Sequence, residues 1–177
     1  MRTFLDLPFH QLAEGVLVDL AVLERRHERR QRTLEPRLLR PIQSDRVDGA
    51  LFVAEAGSGH TFTMDGSAEV GGRNLGARPM EVMLIGMGGC TAIDVVSMLK
   101  KQRQDIVGVE VSLVGERAGD HPMVYTEVKL VYTVRGRKLN RALVERAVSL
   151  SDEKYCSATA MFRKSAKVTH EVVLVEV

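Results

Sequence analysis

Six segments of the chain are predicted to be β-strands, and residues 108–116 and 123–134 among them alternate apolar and polar residues with the period of two that is typical of strands. The six segments are residues 42–46, 50–55, 60–64, 108–116, 123–134 and 168–177. Asp48-Gly49 lies between the first two segments, and this dipeptide is a strong hairpin signal. We therefore predict that the first three strands form an antiparallel meander.

The stretch from Arg78 to Lys101 has a different pattern, which predicts one long helix. Pro79 suits a first helical turn, where its missing N–H costs nothing, and basic residues end the stretch. Between the two ends nearly every side chain is apolar or small, and Asp94 is the charged exception. A helix that is apolar on nearly all of its faces is a buried one, and the glycines and Asp94 argue against a membrane span.

Three glycines interrupt this helix, and each costs about 1 kcal/mol relative to alanine in a helix interior. They are Gly86, Gly88 and Gly89. We expect another helix, a partner subunit or a ligand to approach the backbone closely at this point. Cys90 follows at once and is one of two cysteines in the chain.

The other cysteine, Cys156, lies where a further helix is expected to begin. Residues 139–150 are predicted to be helical, and a helix capped by Ser151 or Asp152 is predicted to run to about Lys167. A helix N-terminus favours the thiolate over the thiol, and Lys154 acts in the same direction. Two such thiols can serve as an attacking and a resolving pair.

The order of these elements is βββ-α-ββ-α-α-β, which predicts an α+β fold with antiparallel sheets around a long buried central helix. We divide the chain into an N-terminal helical extension and linker, residues 1–41, and a main domain, residues 42–177. The extension is rich in arginine, so contact with nucleic acid is conceivable, but interleaved glutamates favour an ordinary solvated face.

Composition narrows the function classes further. The chain has 177 residues and a net charge of +2, too small to indicate a nucleic-acid or membrane partner. Two cysteines do not make a secreted disulfide framework, and the five histidines lack metal-ligand spacing. We expect a cytoplasmic protein with no metal and no cofactor.

The chain resembles the OsmC/Ohr family (osmotically inducible and organic hydroperoxide resistance proteins), and within it the YhfA-like members. The resemblance lies in Pro79-Met80-Glu81, Gly88-Gly89-Cys90-Thr91-Ala92-Ile93-Asp94 and Glu153-Lys154-Tyr155-Cys156-Ser157, in Ser58-Gly59-His60 and Met64-Asp65-Gly66, and in residues 102–107. It spans roughly residues 42–177.

This resemblance implies an intertwined homodimer that reduces organic hydroperoxides, or hydrogen peroxide, in oxidative-stress defence. By the resemblance, Cys90 is oxidised to a sulfenic acid, Cys156 resolves it as a disulfide, and a dithiol reductant restores both thiols. In the family a glutamate orients an arginine over the first thiolate. Glu81, one position away from the family's glutamate, and Arg73 are the nearest counterparts.

Two further readings stay open. In the first, the protein is a non-catalytic member of this fold that holds a small hydrophobic ligand at a dimer interface. In the second, it acts through its basic N-terminal helix. In the ligand-binding reading, Met80 in place of the family glutamate and the methionine-rich central helix describe an apolar cavity between the subunits.

Overall fold

The computed structural model describes residues 42–177, which fall into two compact units divided between Gly76 and Ala77. The N-terminal extension predicted for residues 1–41, with its basic helix, lies outside the described residues. Each unit is described by itself below.

The first unit is built on an antiparallel sheet of three short strands. These are β1 (Gln43–Asp48), β2 (Leu51–Glu55) and β3 (Thr61–Met64), paired in the order β1-β2-β3. Gly49 takes a φ of 53° in the first turn, as the Asp-Gly signal predicts. The predicted meander is therefore confirmed, with strand ends that differ from the prediction by one or two residues.

The second unit contains three α-helices and a second three-stranded sheet. Its elements are α1 (Pro79–Lys101), β4 (Asp105–Arg117), β5 (Tyr125–Arg137), α2 (Arg141–Leu150), α3 (Ser157–Phe162) and β6 (Lys167–Glu176). The predicted order of elements and the α+β class are confirmed.

One strand pair contradicts the expected antiparallel arrangement. The sheet has the order β4-β5-β6; β4 and β5 are antiparallel, but β6 runs parallel to β5. The chain leaves β5, passes through α2 and α3, and returns in the same direction, as the crossover of a parallel pair requires. Alternation along β6 does not encode this direction, so the sequence prediction was wrong here.

Helix α1 is one unbroken helix, as predicted, and it packs against β4 and α2. One stripe with a spacing of four residues is fully buried: Met87, Thr91, Val95 and Leu99. The opposite face is open, and Ile93 there is 71% exposed. The prediction of burial on nearly all faces is therefore wrong for the described protomer, whose own elements cover one side of the helix.

Length and composition alone would allow α1 to cross a bilayer, and no other helix among residues 42–177 meets that test. Its buried stripe lies in the hydrophobic core with residues of β5, α2 and α3. This packing is that of a core helix, and the cytoplasmic location stays a prediction.

The region around Cys156 differs from the sequence prediction. Ser151–Tyr155 continues α2 as a π-helical segment, and Cys156 itself caps α3. Helix α3 ends at Phe162, about one turn before the predicted end near Lys167. Residues 163–166 form turns instead of helix, so β6 can begin at Lys167.

Candidate active site

The two cysteines, distant in sequence, meet inside the second unit. Cys90 lies in the middle of α1 and is half-buried, whereas Cys156 at the start of α3 is 2% exposed. Both are free thiols, and the Cys90 side chain lies near enough to Cys156 to raise the pKa of that thiol. Disulfide reach between the two sulfur atoms stays a prediction.

The surroundings of Cys156 favour the thiol over the thiolate. Burial is the largest influence and raises the pKa of Cys156, and the nearby Cys90 raises this pKa further. The backbone N–H of Thr159 acts in the opposite direction, because it donates to Cys156 Sγ at 3.4 Å. The net effect is a raised pKa.

The expectation that the helix terminus and Lys154 favour a Cys156 thiolate is therefore wrong. Helix α3 has six residues, so its dipole is small, and desolvation of the buried sulfur outweighs it. The Lys154 ammonium lies 5.4 Å above the Tyr155 ring, which is 53% exposed, and its charge is not among the causes that shift the Cys156 pKa.

A chain of buried hydroxyl groups connects the segment before Cys156 to the helix that carries Cys90. Thr91 Oγ1 lies 2.7 Å from Tyr132 OH and 2.8 Å from Ser151 Oγ, and Ser151 Oγ donates to Asp94 Oδ2 at 3.1 Å. Because each hydroxyl has one proton, the order of donation runs from Tyr132 through Thr91 and Ser151 to Asp94. The structural role predicted for Asp94 fits this contact.

Tyr132 remains a neutral donor in this chain. Burial raises the pKa of its phenol to about 12, and the negative groups Asp152, Cys156 and Asp94 contribute to the rise. The hydrogen bond to Thr91 opposes it. The phenol therefore does not serve as a base at neutral pH.

A second polar cluster holds the residue that follows Ser151. Asp152 Oδ2 accepts a hydrogen bond from Arg163 at 2.6 Å and lies 3.1 Å from His170 Nδ1. The Asp152 side chain is 6% exposed, so its charge is compensated inside the protein and not by water. These contacts connect the π-helical segment to the end of α3 and to β6.

The side chains of the other two predicted site residues form largely exposed ion pairs. Glu81 accepts a hydrogen bond from the Arg78 backbone N–H at 2.9 Å and pairs with the Arg78 side chain at 3.5 Å, so it caps α1. Arg73, in the first unit, forms an ion pair with Asp48 at 3.0 Å. The roles predicted for Glu81 and Arg73 at the thiolate stay predictions.

The backbone around Arg73 is fixed by one buried carboxylate. Asp65 accepts hydrogen bonds from the backbone N–H groups of Gly66, Arg73 and Leu75 at 2.8, 2.9 and 3.0 Å. These bonds hold the pKa of Asp65 below its usual value. The loop that contains Arg73 is thus an ordered feature of the first unit.

Two open grooves lie along α1 in the second unit. The larger, of about 520 Å³, has mainly apolar walls formed by Glu81, Leu84, Ile85, Gly88, Gly89, Ala92, Val111 and Leu113. The smaller, of about 370 Å³, is lined by Asp94, Ser97, Met98, Lys101, Gln102, Leu150 and Tyr155. Asp94 is one helical turn from Cys90 and Tyr155 adjoins Cys156, but neither cysteine is among the residues that line the smaller groove.

Among residues 42–177 no three His, Cys, Asp or Glu side chains are grouped so that they could hold a metal ion.

The hydroxyl chain and the Asp152 cluster were missed by sequence reasoning. The sequence predicts Ser151 or Asp152 as a helix cap, and no local pattern connects them to Thr91, Arg163 or His170.

Comparison with known proteins gives a consistent result. Residues 71–171 match the family model described as OsmC-like protein. Protein YhfA of Escherichia coli strain K12 is 45% identical over 129 residues, which cover 73% of this chain and 93% of that protein.

Solved structures have the same fold. A hypothetical protein from Aquifex aeolicus is 30% identical, with a TM-score of 0.66 over 78% of this chain and 99% of that one. An organic hydroperoxide resistance protein OsmC from Legionella pneumophila is 15% identical, with a TM-score of 0.57 over 77% of this chain and 99% of that one. At this low identity, the second likeness shows the fold alone.

Proposed function

Since this chain belongs to the OsmC-like family, we propose that it is a thiol-dependent peroxidase that reduces organic hydroperoxides through Cys90 and Cys156. The observation that carries the proposal is the proximity of two free thiols, one half-buried and one buried. The hydroperoxide resistance proteins among the structural neighbours support a role in peroxide defence.

The two thiols divide the chemistry according to their surroundings. The Cys90 thiolate attacks the terminal oxygen of the hydroperoxide, the O–O bond breaks, and the alcohol leaves after it takes up a proton. Cys90 is then a sulfenic acid, and the peroxide has been reduced by two electrons. Because burial raises the pKa of Cys156, this second sulfur remains a thiol and competes poorly for the peroxide.

The second step closes a disulfide. Cys156 attacks the Cys90 sulfur, the S–O bond breaks, and the thiol proton of Cys156 leaves with the hydroxyl group as water. An external dithiol then reduces the disulfide and is itself oxidised, which restores both thiols.

The open face of α1 is the surface that we assign to a second copy of the chain. Met83, Ile85 and Ile93 are more than half exposed there, and a Cβ added at Gly86 or Gly89 would meet no atom within 4 Å among the described residues. An apolar helix face of this kind is typical of an interface between subunits. The homodimer expected from the family would cover it.

The direct test measures the mass of the protein after exposure to cumene hydroperoxide and, separately, to hydrogen peroxide. We expect the wild type to lose two hydrogens as the disulfide forms. Cys156→Ser is expected to gain one oxygen on Cys90 and then stop, whereas Cys90→Ser should not turn over. Peroxide turnover by Cys90→Ser at the wild-type rate would overturn the proposal.

A second candidate function is binding of a small apolar ligand without catalysis. The larger groove supports it, because leucine, isoleucine and valine side chains form much of its wall. Alkylation of Cys90 as a function of pH separates the two functions. A Cys90 that reacts only above about pH 8 would favour binding, because a peroxidase thiol has to be ionised at neutral pH.

A further inference from the structure

We propose that Asp152, held by Arg163 and His170, is a positioning residue that sets how fast Cys156 closes the disulfide on Cys90. The inference rests on the proposed function, since it assigns a role to a residue in the second step of that reaction. Asp152 touches neither sulfur; it acts through the segment that carries Cys156.

The segment is held on two sides. Ser151 is hydrogen-bonded to Thr91 and Asp94 of α1, the helix that carries Cys90. Its neighbour Asp152 is hydrogen-bonded to Arg163 at the end of α3 and lies within hydrogen-bonding distance of His170 on β6. The Ser151 contacts fix the segment to α1, which carries Cys90, and the Asp152 contacts fix it to the end of α3 and to β6.

The backbone between these anchors and Cys156 is short and closed. The Cys156 N–H donates to the Ser151 carbonyl at 2.8 Å, across the π-helical segment Ser151–Tyr155. A single wide turn therefore transmits the position of residues 151 and 152 to residue 156. Such π-helical turns inside helices occur frequently at functional sites.

The contacts of Asp152 resist displacement of the segment that leads to Cys156. A buried carboxylate that loses its cationic partner is left uncompensated, which is strongly unfavourable. Arg163 reaches Oδ2 at 2.6 Å and His170 Nδ1 lies 3.1 Å from the same oxygen, so loss of the arginine cation leaves the carboxylate with the imidazole contact alone. Removal of Asp152 releases both of these contacts at once.

Disulfide closure depends on this placement. The sulfurs have to approach to about 2.05 Å, and the Thr159 N–H, which donates to Cys156 Sγ at 3.4 Å, helps to fix where this sulfur starts. The reaction is unimolecular, so its rate follows how often the two sulfurs are correctly oriented. The first step, attack of Cys90 on a peroxide, does not involve the Cys156 segment.

The experiment measures the two steps separately. Cys90 oxidation is followed in a Cys156→Ser background by dimedone trapping and mass spectrometry, and disulfide closure is followed by quenched-flow alkylation in proteins with both cysteines. For Asp152→Ala we expect closure to slow by on the order of tenfold to a hundredfold. Cys90 oxidation should remain within about twofold, since its geometry is untouched.

Two variants separate positioning from general loss of structure. Arg163→Gln is expected to slow closure, and Arg163→Lys, which keeps a cation, should recover part of the rate. Glu145→Gln is the matched control, because Glu145 forms an exposed ion pair with Arg141 at 3.1 Å on α2, and it should change neither step. If Asp152→Ala does not fold, the arginine pair alone carries the test.

An equal loss in both steps, or a closure rate unchanged in Asp152→Ala and Arg163→Gln, would overturn the proposal. Diamide converts a dithiol to a disulfide without any peroxide, so oxidation with diamide tests the role of Asp152 separately from the proposed peroxidase function. If peroxide never oxidises Cys90 but the variants still slow closure by diamide, the peroxidase assignment fails and the positioning role of Asp152 stands.

Discussion

Thr91 is the residue whose replacement tests most directly the buried hydroxyl chain between the two cysteine-bearing segments. It is fully buried on α1, and its one oxygen contacts Tyr132 OH at 2.7 Å and Ser151 Oγ at 2.8 Å. Thr91→Val keeps nearly the same volume and removes both contacts. Tyr132 then has a buried donor without its acceptor, whereas Ser151 still donates to Asp94.

The magnitude follows from this difference between the two partners. A buried donor left unsatisfied costs about 1–3 kcal/mol, and the lost hydrogen bond to Ser151 adds about 1 kcal/mol. We therefore expect Thr91→Val to lower the free energy of unfolding by about 2–4 kcal/mol. That is a large fraction of the stability of a typical domain, about 5–15 kcal/mol.

Urea unfolding followed by circular dichroism, at one fixed protein concentration, measures this change. Tyr132→Phe alone should cost about 1 kcal/mol, because Thr91 can still donate to Ser151. The double variant Thr91→Val/Tyr132→Phe removes the unsatisfied phenol and should be clearly more stable than the sum of the single effects predicts. Thr126→Val, at an exposed threonine, is the control and should change stability by less than about 0.5 kcal/mol.

Two results would refute the reasoning. One is a Thr91→Val protein within about 0.5 kcal/mol of the wild type, which would mean that the buried hydroxyl contacts contribute little net stability. The other is strict additivity in the double variant, which would show that Thr91 and Tyr132 are not energetically coupled.

Two further predictions concern the thiol and the open helix face. Because burial raises the pKa of Cys156, iodoacetamide labelling of this thiol in a Cys90→Ser protein should keep accelerating above pH 8.5, about the ordinary thiol pKa. A plateau below that pH would contradict the effect of burial. A Cβ added at Gly89 meets no atom within 4 Å in the described residues, so Gly89→Ala should stabilise α1 of a separate protomer by about 1 kcal/mol. If a second copy covers this face, the same substitution should weaken self-association measured by light scattering. Unchanged association would argue against that interface.

Local signals were sufficient to predict most elements. Pro79 at the first turn and Lys100 and Lys101 at the last predicted α1 with its observed ends, and Asp48-Gly49 predicted the first hairpin. These signals work because they act over a few residues, where backbone conformation and helix-end charges decide the outcome. The resemblance to a family added the order of the chemistry at the two cysteines, which the fold brings near enough for Cys90 to raise the Cys156 pKa.

Features that depend on distant parts of the chain were not predictable in this way. The direction of β6 is set by the path through α2 and α3, and alternation reads the same in either direction. The Asp152 cluster joins residues from three elements, and nothing near Asp152 in the sequence identifies Arg163 or His170 as its partners. Because a helix cap was predicted at Ser151 or Asp152, the π-helical turn before Cys156 was not predicted.

The sequence by itself determined the helices, the strands and the presence of two thiols in helical surroundings, because short-range propensity and charge are local properties. Only the tertiary structure decided which face of α1 is buried and in which direction the Cys156 pKa moves. Both depend on desolvation, and a group loses water only when residues far away in the sequence pack around it. That is why a helix-end argument predicted a thiolate at Cys156, and why the folded protein holds a thiol there.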